Sequence, residues 1–90
     1  MKPIRWMQHA RDALRDRALP KAWAEAAIRA PDWTQPDPND PTVERRFKVL
    51  PEADGRVIRV PCVETPDEIR AITVVLDRNA RKAMQRKARS

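Results

Sequence analysis

Ninety residues with a net charge of +6 fit one small domain with a modest core. At 41% hydrophobic and 36% charged residues, the composition is that of a folded protein rather than a disordered one, and no apolar run approaches the ~20 residues that span a bilayer. Cys62 is the only cysteine, so no internal disulfide forms, and MKPIRWMQHARD holds no apolar stretch of secretory type; a cytoplasmic protein is expected.

The first periodic segment covers residues 7–18. At 100° per residue, Ala10, Ala13, Leu14 and Arg17 continue the stripe that Trp6 begins, His9 lies at its margin, and Arg11 and Arg15 point the other way. Pro20 suits the first turn of a second helix, which runs to about Ala30 before Pro31 stops it. Two stripes compete for its buried face: Trp23, Ala27 and Ala30, or Ala24, Ala27 and Ile28. PDWTQPDPNDP, with four of the nine prolines, is expected to be an extended connection within one domain, where Trp33 to Gln35 could add a short edge strand.

The period then changes to two. Val43, Arg45, Phe47 and Val49 face one way, and Glu44, Arg46 and Lys48 the other. In RVIRVPCVE, Ile58, Val60 and Cys62 oppose Val57, Arg59 and Val63, and Pro61, which has no N–H, predicts a bulge or an unpaired stretch. EIRAITVVLD is apolar on both faces and reads as the central strand. Asp54-Gly55 and Thr65-Pro66-Asp67 supply the turns, and Asp77 is placed to cap a last helix. The expected fold is α+β: over residues 1–78, two N-terminal helices packed on a three- to four-stranded antiparallel sheet, with residues 79–90 as a basic C-terminal helix or tail.

Residues 1–77 hold thirteen Lys or Arg and thirteen Asp or Glu, so the excess charge sits in Arg78, Arg81, Lys82, Arg86, Lys87 and Arg89. Such a tail suits nucleic acid, an acidic partner or the C-terminal end of a helix dipole. One His and one Cys far apart match no zinc spacing, and a single glycine cannot build a phosphate cradle, so neither metal nor cofactor is implied. With no tyrosine and one Phe, a base-stacking platform is not expected; Trp23 and Trp33 are assigned to packing. His9 is the only imidazole, the side chain best suited to acid–base work near neutrality, although a lone His at a stripe margin is more often a packing residue. Arg17, on the core stripe, needs either a carboxylate (Glu44, Asp32 or Glu64) or an anionic ligand. Arg45, Arg46, Arg59 and Lys48 give the sheet a cationic side. Were Arg46 and Arg59 on one surface, they would clamp a phosphate, with Glu44 or His9 as the base for metal-free RNA cleavage.

Three segments, IRWMQHARDALRDRALPKAWAEAAIRAPDW, VERRFKVL, and GRVIRV followed by EIRAITVVLD, resemble the domain of unknown function 4258 family over about residues 4–78. His9 and Ala10 match its His-Ala pair, Arg17 the second of its helix arginines, Pro31 its helix stop and Thr73 the threonine of its last strand. Met7 stands where a Ser or Thr cap is usual, Ala13 replaces the first helix arginine, and Ala18 the turn glycine. The resemblance implies an α+β fold similar to the BrnT and RelE toxin ribonucleases.

The expectation is thus a toxin-like domain that binds RNA or a ribosomal surface, with metal-free cleavage as its candidate activity. His9, Glu44 and Arg46 would be catalytic, and Arg17, Arg45, Arg59, Arg78, Arg81, Lys82 and Arg86 would contact phosphates; an acidic antitoxin would be its protein partner. The alternative is a non-enzymatic module binding an acidic protein or nucleic acid by charge alone.

Overall fold

The computed structural model describes residues 1–82. The chain runs β1 (Ile4–Trp6), α1 (Gln8–Asp16), α2 (Lys21–Arg29), β2 (Trp33–Pro36), β3 (Glu44–Leu50), a 3₁₀ turn (Pro51–Ala53), β4 (Arg56–Glu64), β5 (Ile69–Ala71) and β6 (Val75–Leu76), and a third helix, α3, begins at 78. No helix among the described residues is long and apolar enough to cross a membrane.

Helix α1 stops because the chain turns left-handed. Ala18 has φ 50°, its N–H bonds to the Arg15 carbonyl at 3.1 Å, and the Leu19 N–H reaches the Leu14 carbonyl at 2.9 Å. This is the paired 6→1 and 5→2 closure of a Schellman motif, which usually places glycine where Ala18 stands. The turn redirects the chain so that α2 packs on β3 and β4. Of the two stripes on α2, Ala24, Ala27 and Ile28 are the buried one, and the two alanines allow a close approach to the sheet.

The sheet has six strands in the order β1-β5-β4-β3-β2, with β6 also paired to β4. It is mixed: β1 runs parallel to β5, with Ile4 opposite Ile69 and Trp6 opposite Ala71, while the other pairings are antiparallel. This corrects the expected three- to four-stranded antiparallel sheet below two N-terminal helices, since a strand precedes α1. Three residues, IRW, are too few to show a period, and their partner lies near the other end of the domain. Trp33 to Pro36 does form an edge strand, on β3.

The central strand is β4, not the 69–76 run. It pairs with β3 along one side, while β5 and β6 share the other. Cys62 faces Ala71 but Arg59 faces Val75, so Ile72, Thr73 and Val74 oppose only Val60 and Pro61, and the one-residue bulge lies in the 69–76 strand opposite Pro61, not in β4 itself. Its cause is Pro61. The Ile72 N–H donates to the Pro61 carbonyl at 2.9 Å; since a strand residue points its N–H and C=O to the same neighbour, the donor that Pro61 lacks would have faced this same strand.

Both helices cover one face of the sheet. Ala10, Ala24, Ala27 and Ile28 pack with Leu50, Ile58, Val60, Cys62, Ile69, Ala71 and Val74 into the main core. On the other face Trp33 stacks flat on Phe47, with ring centroids 4.9 Å apart. Trp23 lies against the main core, so both tryptophans pack as expected.

Ala18→Gly is expected to raise stability by about 0.5–1 kcal/mol, because it removes the left-handed penalty of a Cβ at some cost in unfolded-state entropy. Urea unfolding of both proteins checks this; an unchanged or lower midpoint would mean that the turn is not strained.

Candidate anion-binding cleft

Arg46 sits opposite Val60, and Phe47 opposite Arg59. Successive strand residues alternate faces, so Arg46 points to the helix side and Arg59 to the other. The two cannot form one phosphate clamp, which corrects that expectation. Arg46 is fully engaged where it is. Its side chain is 11% exposed; Nε donates to Glu44 Oε1 at 2.9 Å, Nη1 to the Ile28 carbonyl at 2.8 Å and Nη2 to Glu64 Oε1 at 2.8 Å. Lys48 Nζ donates to the Ala30 carbonyl at 2.9 Å. Two strand cations thus satisfy carbonyls at the C-terminal end of α2, where the helix dipole favours positive charge.

The carboxylates follow from this. Glu64 also accepts from Lys2 Nζ at 2.8 Å, and the hydrogen bonds from Lys2 and Arg46 hold it down at about 2, against an ordinary 4.5. Burial alone would lower Arg46, but the bonds to Glu64 and Glu44 outweigh it and the guanidinium is raised. Beneath them, burial pushes the Cys62 thiol up to about 12, which leaves it an unreactive core side chain. Arg45 bonds Asp37 Oδ2 at 3.3 Å, and the Asn39 backbone N–H leads the interactions that lower Asp37. His9 is exposed on α1 and lines neither of the clefts described here. The three side chains expected to act together as catalysts are therefore divided: Glu44 and Arg46 are held in one ion-pair network, and His9 has no part in it.

Of the other expected cations, Arg45 stays apart on Asp37, while Arg17, Arg59, Arg78, Arg81 and Lys82 converge. At the end of the sheet where β6 leads into α3, a cleft of about 1100 Å³ is lined by Arg17, Arg56, Arg59, Arg78, Arg81 and Lys82. Leu19, Val57, Val75 and Leu76 form its apolar lining, and among the described residues Asp77 is its one carboxylate. Arg17 reaches it because α1 ends at Asp16 and Arg17 belongs to the closing turn, where it is exposed rather than on the core stripe. Asp77 does two things. Its Oδ1 accepts the Ala80 N–H at 2.9 Å, the cap expected for the last helix, and its Oδ2 holds Arg59 Nη1 at 3.1 Å. Arg81 Nη2 donates to the Asp54 carbonyl at 2.9 Å. Among the described residues, Arg17, Arg56, Arg78 and Lys82 have no carboxylate within ion-pair distance. Their charge is left to solvent and its mobile anions, which a bound anion would replace.

Arg56 was not picked out by the sequence. Its signal was weak: the first residue of a strand, directly after a turn, where a cation is ordinary. Arg86 lies outside the described residues.

The family model for a domain of unknown function, DUF4258, matches residues 6–75. The chain belongs to this family. No curated protein and no solved structure gives a significant match. Arg17, Arg56 and Arg59 fall within the family match, while Arg78, Arg81 and Lys82 follow it; the cleft is assembled from the family domain and the helix that succeeds it.

Two measurements test the division of roles. Arg46→Met should cost about 2 kcal/mol in urea unfolding, because it leaves a helix carbonyl and carboxylates without their donor; a cost near zero would free Arg46 for another role. The unfolded chain protonates Glu64 near 4.5 and the folded chain only near 2, so this group's stabilisation is complete above the first value and is lost as pH falls towards the second. Acid unfolding followed by tryptophan fluorescence should be less steep across that window in Glu64→Gln, and parallel curves would contradict the pairing.

Proposed function

We propose that this domain binds RNA through its phosphate backbone in the cationic cleft. The observation that carries the reading is the meeting of six cations, from the turn that closes α1, from β4 and from α3, around a single carboxylate. Neutralising phosphates with Lys and Arg releases condensed counterions, and this term supplies most sequence-independent affinity. The apolar lining suits sugar and base edges between phosphates. Arg59 and Asp77 form the fixed part of the wall, and Arg17, Arg56, Arg78 and Lys82 the part open to a ligand.

The arrangement favours binding over cleavage. Attack by a 2′-hydroxyl needs a base beside the phosphate contacts, and the cleft's one carboxylate already accepts from Ala80 and Arg59. In this reading the domain shares the fold type of the BrnT and RelE toxins, works in the cytoplasm, and uses an RNA or ribosomal surface as a docking target rather than a substrate.

Fluorescence anisotropy with a single-stranded RNA oligonucleotide over a salt series tests it. Five or so phosphate contacts predict that log affinity falls with log salt at a slope of about −3.5. Arg56→Ala and Arg78→Ala should each weaken binding about three- to tenfold and flatten the slope by about 0.7. Affinity insensitive to salt and to both substitutions would remove the cleft from RNA binding. Shortened RNA lost in step with the same variants would restore cleavage, and tighter binding of polyglutamate than of RNA, weakened by the same two substitutions, would favour an acidic protein as the natural ligand of the cleft.

A further inference from the structure

A second cationic groove lies along β1, where α1 and α2 begin. Its volume is about 890 Å³. Trp6, Met7 and Leu14 supply its apolar surface, and Arg5, Arg11, Arg15 and Lys21 its charged rim; among the described residues no carboxylate lines it. Met7 is one of two large apolar side chains that stand exposed among the described residues, at 37%, and Lys21 Nζ lies 5.1 Å from the Trp6 ring centre. Arg15 is neutralised by Asp12 and Asp16 and Arg5 is loosely paired with Glu68, but among the described residues Arg11 bonds only the neutral Gln8 amide.

The backbone beside this groove is also open. Among the described residues, strand β1 has a neighbour on one side only, β5. The Ile69 N–H donates to Pro3 and the Met7 N–H to Ala71, both at 3.0 Å. Alternation along a strand therefore turns the N–H and C=O of Ile4 and Trp6 away from β5, towards the free edge. Unpaired edge groups of this kind are a template for a further strand.

We propose that the β1 edge is a docking site for an extended acidic segment of a partner protein, which adds a strand beside Ile4 and Trp6 and places its carboxylates against Arg11 and Lys21. The open peptide groups match another peptide and not a phosphodiester, and the rim selects its charge. A second copy of this chain is a poor occupant, because two such rims would bring like charges together.

The full chain can be titrated with a short, end-capped, fluorescein-labelled peptide of alternating glutamate and valine. Binding is expected, and an Arg11→Glu/Lys21→Glu double variant should weaken it at least about tenfold. Methylating every backbone amide of the peptide keeps its charge but removes its strand donors, and should abolish binding. Charge reversal of the other cleft by Arg56→Glu/Arg78→Glu should leave it unchanged. Equal binding of the methylated peptide, loss with the cleft variant but not the rim variant, or displacement of the peptide by single-stranded RNA would each overturn the proposal. Circular dichroism of the variants, whose altered residues are all exposed, separates a lost site from a lost fold.

Discussion

A guanidinium held between a helix and a sheet must have its hydrogen bonds met by protein, since water no longer meets them. Arg46 does this with three partners: a carbonyl at the end of α2 and a carboxylate from each of β3 and β4. Most of the arrangement on that side follows. Helix α2 is fixed where its dipole ends, Glu64 is committed to Arg46 and Lys2, and Glu44 is drawn into the same network. Strand arginines look alike in a sequence, but this one is a structural tie. The single-residue step from Arg46 to Phe47, and its cross-strand neighbour Arg59, separates the two arginines by the thickness of the sheet.

The same pairing logic decides where charge remains. Over residues 1–77 acids and bases balance, yet the balance is not local. Acids near β3, the N-terminus and α1 are taken up by Arg45, Arg46, Lys2 and Arg15. Arg17 and Arg56 are left without carboxylates, and both lie next to the start of α3. The surplus is therefore not confined to the tail: two residues of the balanced body join three from the following helix around Arg59.

Much of this was legible in the sequence, and the failures have physical causes. Period-two alternation placed β3 and β4, the Asp54-Gly55 turn joined them, and Pro61 marked the bulge. The 69–76 run was misread for the same reason that Pro61 was read correctly. A one-residue bulge shifts which parity faces the core, so Ile69 and Ala71 before it and Val74 after it are all buried against the helices; a strand apolar on both parities is what such a slip looks like in sequence. Arg17 was placed on the core stripe by carrying the helical period past Asp16, where the turn at Ala18 ends it. The parallel pairing of β1 left no trace, because register between distant strands is set by tertiary packing and not by local pattern. Of the candidate site, Arg17, Arg59 and the cations of the last helix could be named and Arg56 could not, and no pattern in one chain separates an arginine tied to Glu64 from one facing water.

Asp77 connects the sheet, the last helix and the cleft. Its backbone N–H bonds the Val57 carbonyl at 2.8 Å, which closes β6 on the central strand. Its side chain caps α3 and holds Arg59. One residue thus ends the sheet, starts the helix that brings Arg78, Arg81 and Lys82 to the cleft, and neutralises the cation nearest the sheet. The bulge opposite Pro61 sets the register that lets it do so, since it pairs Val75 with Arg59 and so brings Asp77 level with Val57. A backbone donor missing from the middle of β4 is therefore connected, through one register step, to the placing of the charges at its end.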